Sequence, residues 1–484
     1  MPLPQLIALI LALGMGDMQG QGSLGPETVW QRVLLVLGSV CALWICSTVF
    51  GLWLARSADR DTLGQTPWFW LTWARRLLDA FSLGLFAWWI FGLEWPRIVA
   101  WNLGLKDAFL LDELLVLAPF VAGQTALWVG MHRAERRVRA LSGNYSLARH
   151  VLLRGRQALG VMVPLILVYG IGRDGLRWLS PSSANDPLHQ LLVLAIVGVL
   201  LLLLAPAFVR LSWPTRPLEP GPLRRRLERL SERFGFQCTD ILVWDTGGLL
   251  ANAGITGALP WYRYVLLTDA LLEQLDGLEV EAVFGHELGH VAHRHLAYFG
   301  FFFMGSIGVL ALFDMAMRWS GTYSAPWLAR LPDSAREVFE WGSALLVLGV
   351  YFVVVFGYLS RRFERQADVF GCRAVSCGRD SCPPHADLNA SNTSVAAPEH
   401  LCPVGIQIFA GALSGVAHLN GLSFSAPSWR HGSIARRIEF LKGLGERPGA
   451  VRRFQSRVRW LRLGLGLALT AATVLAIWFG QAPQ

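Results

Sequence analysis

Charge is what this chain has least of. Only 16% of its 484 residues are Asp, Glu, Lys or Arg while 53% are hydrophobic, against roughly a quarter charged in ordinary soluble domains. That deficit excludes a soluble globular class and points to a membrane protein. Lysine is almost missing, with Lys106 and Lys442 the only two among 43 basic residues, so a formal charge of +9 is carried by arginine. Such a surplus suits anionic lipid headgroups. No basic stripe interleaved with aromatics is present, so nucleic acid is not an expected partner. Cysteine is sparse as well. Cys372, Cys377, Cys382 and Cys402 frame a segment rich in Ser, Asn and Pro, with His385 and His400 nearby. The spacing permits a second zinc site but lacks the close pairs of structural zinc motifs, and reduced loop thiols are the preferred reading. Cys41 and Cys46 fall inside an apolar run. A secretory signal with a basic flank is also lacking: residues 3–14 read as an interfacial or partly inserted tail.

Long apolar runs are what the chain does have. Segments 33–55, 77–95, 114–131, 157–172, 188–209, 297–312, 341–358 and 463–478 give about eight candidate spans, each judged against ~30 Å of hydrocarbon. Asp79 and Glu94 shorten the second, and the fourth has little apolar length to spare. Arginines are concentrated at residues 133–156 and 56–76, which assigns those loops to the cytoplasm. Asn144, Asn389 and Asn392 fit glycosylation sequons that would be silent there. Pro214, Pro217, Pro220 and Pro222 read as an extended linker, followed by an amphipathic helix from Leu223 to Phe234. Strand signals at 240–245 and 262–267 flank a Gly-rich stretch read as a turn or hairpin, so a small sheet beside the next helix is expected. Its edge would suit an extended peptide.

That helix carries His286-Glu287-Leu288-Gly289-His290. Leu278, Val280, Ala282 and Val283 have helical spacing, and Glu279 and Glu281 favour a helix N-terminus. Positions four apart share one face, so His286 and His290 can bind one zinc ion while Glu287 stands beside the open coordination position. Zinc lowers the pKa of its water toward ~7, and Glu287 can act as general base. A catalytic zinc site needs a third protein ligand. The metzincin position, six after His290, is Leu296; His293 and His295 come too early for that pattern. His293 lies one turn after His290, as an outer partner or as part of a solvated helix end. A better candidate lies in Ser360-Arg-Arg-Phe-Glu-Arg-Gln-Ala-Asp368, where Ser360, Glu364 and Asp368 share a face. Glu364 can be a ligand and Asp368 can hydrogen-bond a ligand imidazole. The alternative is an ordinary charged helix outside a membrane span.

The order His-Glu-Leu-Gly-His, hydrophobic hairpin, Ser-Arg-Arg-Phe-Glu-Arg-Gln-Ala-Asp resembles the HtpX and CAAX-prenyl-protease family of integral-membrane zinc metallopeptidases, over about Leu223 to Leu441. The resemblance implies that Glu364 is the third zinc ligand and that Asp368 is the aspartate following it. It places Asn252, in Asn252-Ala253-Gly254, on an edge segment near the substrate. His431-Gly-Ser-Ile-Ala-Arg-Arg-Ile438 resembles the family's late His-Pro box, with Gly432 in place of proline, which leaves the roles of His431 and Arg437 open.

The expected protein is mainly α: a polytopic transmembrane helical bundle with a small α/β zincin-like catalytic unit. The divisions are residues 1–212 (membrane region), 213–297 (catalytic unit with the His-Glu-Leu-Gly-His helix), 298–359 (transmembrane hairpin), 360–458 (second catalytic segment) and 459–484 (final span). The expected function is a zinc-dependent endopeptidase with one Zn2+ per chain, acting on protein or peptide substrates at the lipid bilayer, possible work being membrane protein quality control. A bacterial inner membrane location with the active site toward the cytoplasm is expected. A CAAX-type prenyl protease and an idle membrane scaffold are the alternatives.

Overall fold

Apolar stretches this long can satisfy their backbone groups in lipid only as helices, and the computed structural model folds them so. It describes residues 22–59, 67–106, 110–139, 145–179, 187–322, 324–331, 333–377, 401–426, 428–447 and 449–480, with isolated positions 8, 12, 108 and 141. Residues 3–7, Cys382, His385, His400 and the sequons at Asn144, Asn389 and Asn392 lie outside the described residues. The chain divides into two units, one of Met1–Leu218 with Cys238–Ala270 and one of Glu219–Gln237 with Leu271–Gln484.

In the first unit, α1 (Pro26–Asp59), α2 (Pro67–Phe91), α3 (Leu111–Val138), α4 (Leu147–Leu179) and α5 (Pro187–Ser212) carry the five N-terminal apolar segments. Small residues let α1 and α3 touch backbone to backbone. A Cβ on Gly130 would stand 2.7 Å from the Thr48 amide nitrogen, and one on Gly51 would stand 2.4 Å from the Gly130 carbonyl oxygen, the close approach that small residues permit in membranes. Phe86, Trp89, Leu117 and Phe120 fill the core beside this seam. The second segment was expected to run to residue 95, but α2 stops at Phe91. Glu94 takes a left-handed conformation (φ 48°) and is gripped by Arg32 at 3.2 Å and Arg97 at 2.7 Å. The chain resumes at Trp95–Asn102 at an angle of 52°.

The unit also holds a four-stranded sheet, β1 (Thr215–Pro217), β2 (Asp240–Trp244), β3 (Ala253–Thr256) and β4 (Tyr264–Thr268), in the order β1-β2-β4-β3. The two strands anticipated from their β-branched and aromatic residues pair in parallel, Asp240 opposite Tyr264. A hairpin cannot join parallel neighbours. The Gly-rich connection instead contributes β3, antiparallel to β4 on its far side. Part of the proline-marked linker is not free chain: Thr215 to Pro217 pair antiparallel with β2 at an edge where a missing N–H is tolerated.

The second unit begins with α6 (Pro222–Arg233), which buries Leu227 and Leu230. It continues with α7 (Gly277–Ala292), α8 (His295–Trp319) and α9 (Asp333–Tyr351), which passes through a π-helical segment, Phe352–Phe356, into α10 (Gly357–Ala374). Helices α11 (Pro403–Leu419), α12 (Ile434–Gly445) and α13 (Ala450–Gly480) complete it. α8 and α9 pack against each other, with Phe302 stacked on Tyr351 at 4.5 Å. Cys372 is not in a loop: it is buried within α10, while the Cys402 sulfur caps α11 by accepting from the Gly405 N–H at 3.2 Å.

Seven of the eight expected segments fall wholly on helices, and the second does so as far as Phe91. Among the described residues four helices are long and apolar enough to cross a membrane, Pro26–Ala58, Leu111–Val138, Leu147–Leu167 and Gly342–Ala374, or five if the pair bent at Glu94 counts as one span.

Candidate metal centre

The site is built where α7 meets α10. α7 starts at a reciprocal cap: Asp276 accepts from the Glu279 N–H at 2.8 Å while the Glu279 carboxylate accepts from the Asp276 N–H at 3.2 Å. Glu281 is not a solvated dipole partner but a buried one, ion-paired with Arg226 of α6. One face of α7 is stripped to glycine. A Cβ on Gly285 would stand 2.6 Å from the Ala374 Cβ, and one on Gly289 would stand 2.8 Å from the Phe370 Cβ and 3.0 Å from the Ala367 Cα. On the facing helix, a Cβ on Gly371 would stand 2.6 Å from the Ala282 carbonyl oxygen. Three absent side chains thus set the separation of the two helices.

That separation brings Glu364 to the histidines. The Nε2 atoms of His286 and His290 are 3.2 Å apart, and the Glu364 carboxylate oxygens lie 3.6 Å from the first and 3.9 Å from the second. Among the described residues His286, His290 and Glu364 form the one cluster whose donor atoms could hold a metal ion, all within 4.8 Å of one another. A tetrahedral ion with bonds of ~2.0–2.2 Å sets its ligand atoms roughly 3.3–3.6 Å apart, so two imidazoles and a carboxylate at these separations fit a small divalent cation.

A second layer surrounds the three donors. His286 Nδ1 lies 3.0 Å from Asp368 Oδ1. Arg437 of α12 grips Asp368 side-on, its Nε donating to Oδ2 at 2.8 Å and its Nη2 to Oδ1, and that Nη2 stands 3.7 Å from Glu364. His431 Nδ1 is 2.9 Å from Glu364 Oε1. The loop presenting His431 closes with a bridge between Ser428 and Gly432, and Gly432 has φ +75°. Proline, locked near −65°, could not take that conformation, so glycine gives this loop its own path. Ser433 then caps α12, its hydroxyl accepting from the Arg436 N–H at 3.3 Å.

Electrostatics differ from one group to the next. Burial pushes the Glu287 carboxyl up to about 7, against the pull of His286 and Arg437. Burial pushes His290 down to about 4 and His295 down to about 2. For His286 burial acts downward too, but the Asp368 and Glu364 carboxylates outweigh it and the net shift is upward. In Arg437, likewise, the carboxylates outweigh burial and the guanidinium is raised.

The positions singled out from sequence separate into two groups. His286, Glu287, His290, Glu364, Asp368, His431 and Arg437 share one neighbourhood in the second unit. Asn252 belongs to the first unit, where it is exposed and its backbone pairs with Thr268 ahead of β3. His293 ends α7, its ring edge-on to Phe370 at 6.1 Å, outside the donor cluster. Sequence reasoning weighed His295 only as a third ligand that comes too early, whereas its ring meets His290 Nδ1 to Nδ1 at 2.8 Å. No periodic pattern could have found it, because five residues along a helix do not share a face.

Residues 217–443 match the model for Peptidase family M48. Among curated proteins, the chain is 27% identical over 218 residues to the Protease HtpX homolog of Aeropyrum pernix, covering 44% of this chain and 67% of that one. It is 30% identical over 139 residues to CAAX prenyl protease 1 of Saccharomyces cerevisiae, covering 27% of this chain and 31% of that one. The crystal structure of S. mikatae Ste24p superposes on 87% of this chain and 100% of that one, at a TM-score of 0.50 and 16% identity, a likeness of fold.

Proposed function

We propose that this chain, a membrane metallopeptidase related to HtpX and CAAX prenyl protease 1, hydrolyses peptide bonds of membrane or membrane-associated proteins using one zinc ion held by His286, His290 and Glu364. The observation that carries this is the triangle of two Nε2 atoms and one carboxylate at 3.2, 3.6 and 3.9 Å. Zinc bound there would polarise the scissile carbonyl and lower the pKa of a bound water. Glu287 takes a proton from the attacking water and returns it to the leaving amine. Its half-buried position next to the ligand His286 on α7 puts it beside the open coordination position. Asp368 orients His286, and Arg437 holds Asp368 in place. His431, half-exposed beside Glu364, is positioned to steady that carboxylate or meet the substrate.

Glu287→Gln tests the chemistry. The variant keeps about one zinc per chain and loses casein cleavage by ~10²-fold or more, the scale of general-base catalysis. Full activity would overturn the assignment, and an inert wild type that still binds zinc would favour the scaffold reading. Hydrolysis of a farnesylated C-terminal peptide in preference to its unmodified form would move the substrate class to the prenyl proteases, whose named members are among the relatives.

The arginine-rich loops support a site facing the cytoplasm of a bacterial inner membrane. Single cysteines at Ser324 and Ser433, in a cysteine-free background, test it with an impermeant thiol reagent. Ser324→Cys labels in intact cells and Ser433→Cys only after permeabilisation; labelling from the same side would remove the hairpin.

A further inference from the structure

We infer that His295 is a positioning residue for the metal site, fixing the tautomer and orientation of His290 through a hydrogen-bond line that ends at Gln455 on the last helix. The inference rests on His290 being a ligand, as proposed above.

The two histidines of α7 have unlike partners. His286 Nδ1 faces a carboxylate, which can only accept. His290 Nδ1 faces another imidazole at 2.8 Å, and two imidazoles must divide the roles of donor and acceptor. If His290 gives its Nε2 lone pair to a cation, its proton sits on Nδ1, and His295 Nδ1 must accept it. The proton of His295 then sits on Nε2, which lies 3.2 Å from Gln366 Oε1. The Gln366 amide in turn donates to Gln455 Oε1 at 2.5 Å. Every polarity along the line is set from the metal end.

The surroundings hold His295 in that role. Its ring is 1% exposed and lies flat on Phe363, with centroids 4.2 Å apart and planes 2° from parallel. Each of its two ring nitrogens meets a single polar partner, His290 on Nδ1 and Gln366 on Nε2, which suits one acceptor and one donor. The backbone is shaped to deliver it. Helical periodicity would carry residue 295 away from residue 290, but Arg294 adopts φ 54°, a left-handed conformation that non-glycine residues rarely take. It ends α7, starts α8 and returns His295 to His290. Strain of this kind collects where a site requires a fixed geometry.

Zn2+ affinity, measured on the full chain in detergent by competition with a fluorescent chelator, tests the inference. His295→Phe keeps the stack on Phe363 and removes the acceptor, whereas His295→Asn keeps an acceptor near Nδ1 and loses the ring. His295→Phe weakens Zn2+ by ~10–100-fold, as outer partners of metal ligands do, while His295→Asn stays within about threefold of wild type. The visible spectrum of the Co2+-loaded protein changes in the first variant and is retained in the second. Equal affinity in His295→Phe and wild type overturns the inference, as does equal loss in both variants, which would make His295 a packing residue. Should His295→Phe not fold, Gln366→Met carries the test: weaker Zn2+ binding is expected and unchanged binding is contrary. A His290→Ala control separates the premise, since Zn2+ binding indifferent to that change would sink the ligand assignment itself.

Discussion

Glu135 in the first unit and Glu364 in the second are both buried carboxylates among arginines, 2% and 6% exposed, and they are held in opposite ways. Each oxygen of Glu135 has its own cation, Arg75 at 3.0 Å on one and Arg154 at 2.6 Å on the other. The group is saturated and ties α2, α3 and α4 together. Around Glu364 the arginine is directed elsewhere: Arg437 engages Asp368 side-on through Nε and Nη2 and stays 3.7 Å from Glu364, whose oxygens face the imidazole nitrogens of His431, His286 and His290. A buried carboxylate closed by arginines serves as a fastener. One that meets imidazole nitrogens instead, as Glu364 does, has the surroundings that the proposed zinc ligand would need.

Three substitutions break or sharpen this contrast. Glu364→Gln has the largest effect: it lowers Zn2+ affinity by more than the ~10–100-fold typical of outer partners and abolishes cleavage, while the thermal midpoint of the metal-free protein changes little. Isothermal titration with Zn2+ beside a melting curve decides it. Glu135→Gln does the converse. Removing the anion leaves two cations facing each other, and stability falls by about 3 kcal/mol while the Zn2+ affinity of the folded protein is unchanged. A loss of Zn2+ binding there would show that the two carboxylates are not separable in function. The smallest effect is expected from Gly289→Ala, whose added methyl meets α10 at 2.8 Å and costs ~1–3 kcal/mol through overpacking. Because the strain lies between α7 and α10, Zn2+ affinity falls with stability in this variant alone.

Much of the site was legible because its residues repeat at helical spacing. His286 and His290 lie four apart, as do Ser360, Glu364 and Asp368, and all three of the latter are buried on one side of α10. Arg437 and His431 have no such period; they were reached through resemblance, and only their contacts show what they touch. His295 was lost because one left-handed residue resets the helical count. The small sheet was half legible. β2 and β4 announce themselves through Ile241, Leu242, Val243 and Val265, Leu266, Leu267, whereas β1 and β3 are made by backbone pairing in sequences of proline and glycine. The same limit applies to the bend at Glu94, where a charge that merely shortens a span on paper ends the helix through its φ angle.

The π segment at Phe352–Phe356 bears on which way Glu364 faces. A π turn admits one residue more than an α turn, and each residue of an α-helix advances the face by about 100°. Beyond it, a helical wheel drawn unbroken from Asp333 is out of phase by that angle, and the oxygen at residue 364 would be assigned to the wrong side. The carbonyl of Val353 accepts from the Trp429 indole N–H at 3.1 Å, against Gly357, where a Cβ would stand 2.5 Å from that nitrogen. The face that Glu364 presents is therefore set by the π turn eight residues before it, and a substitution that restored plain α geometry at 352–356 would turn that carboxylate by about 100°.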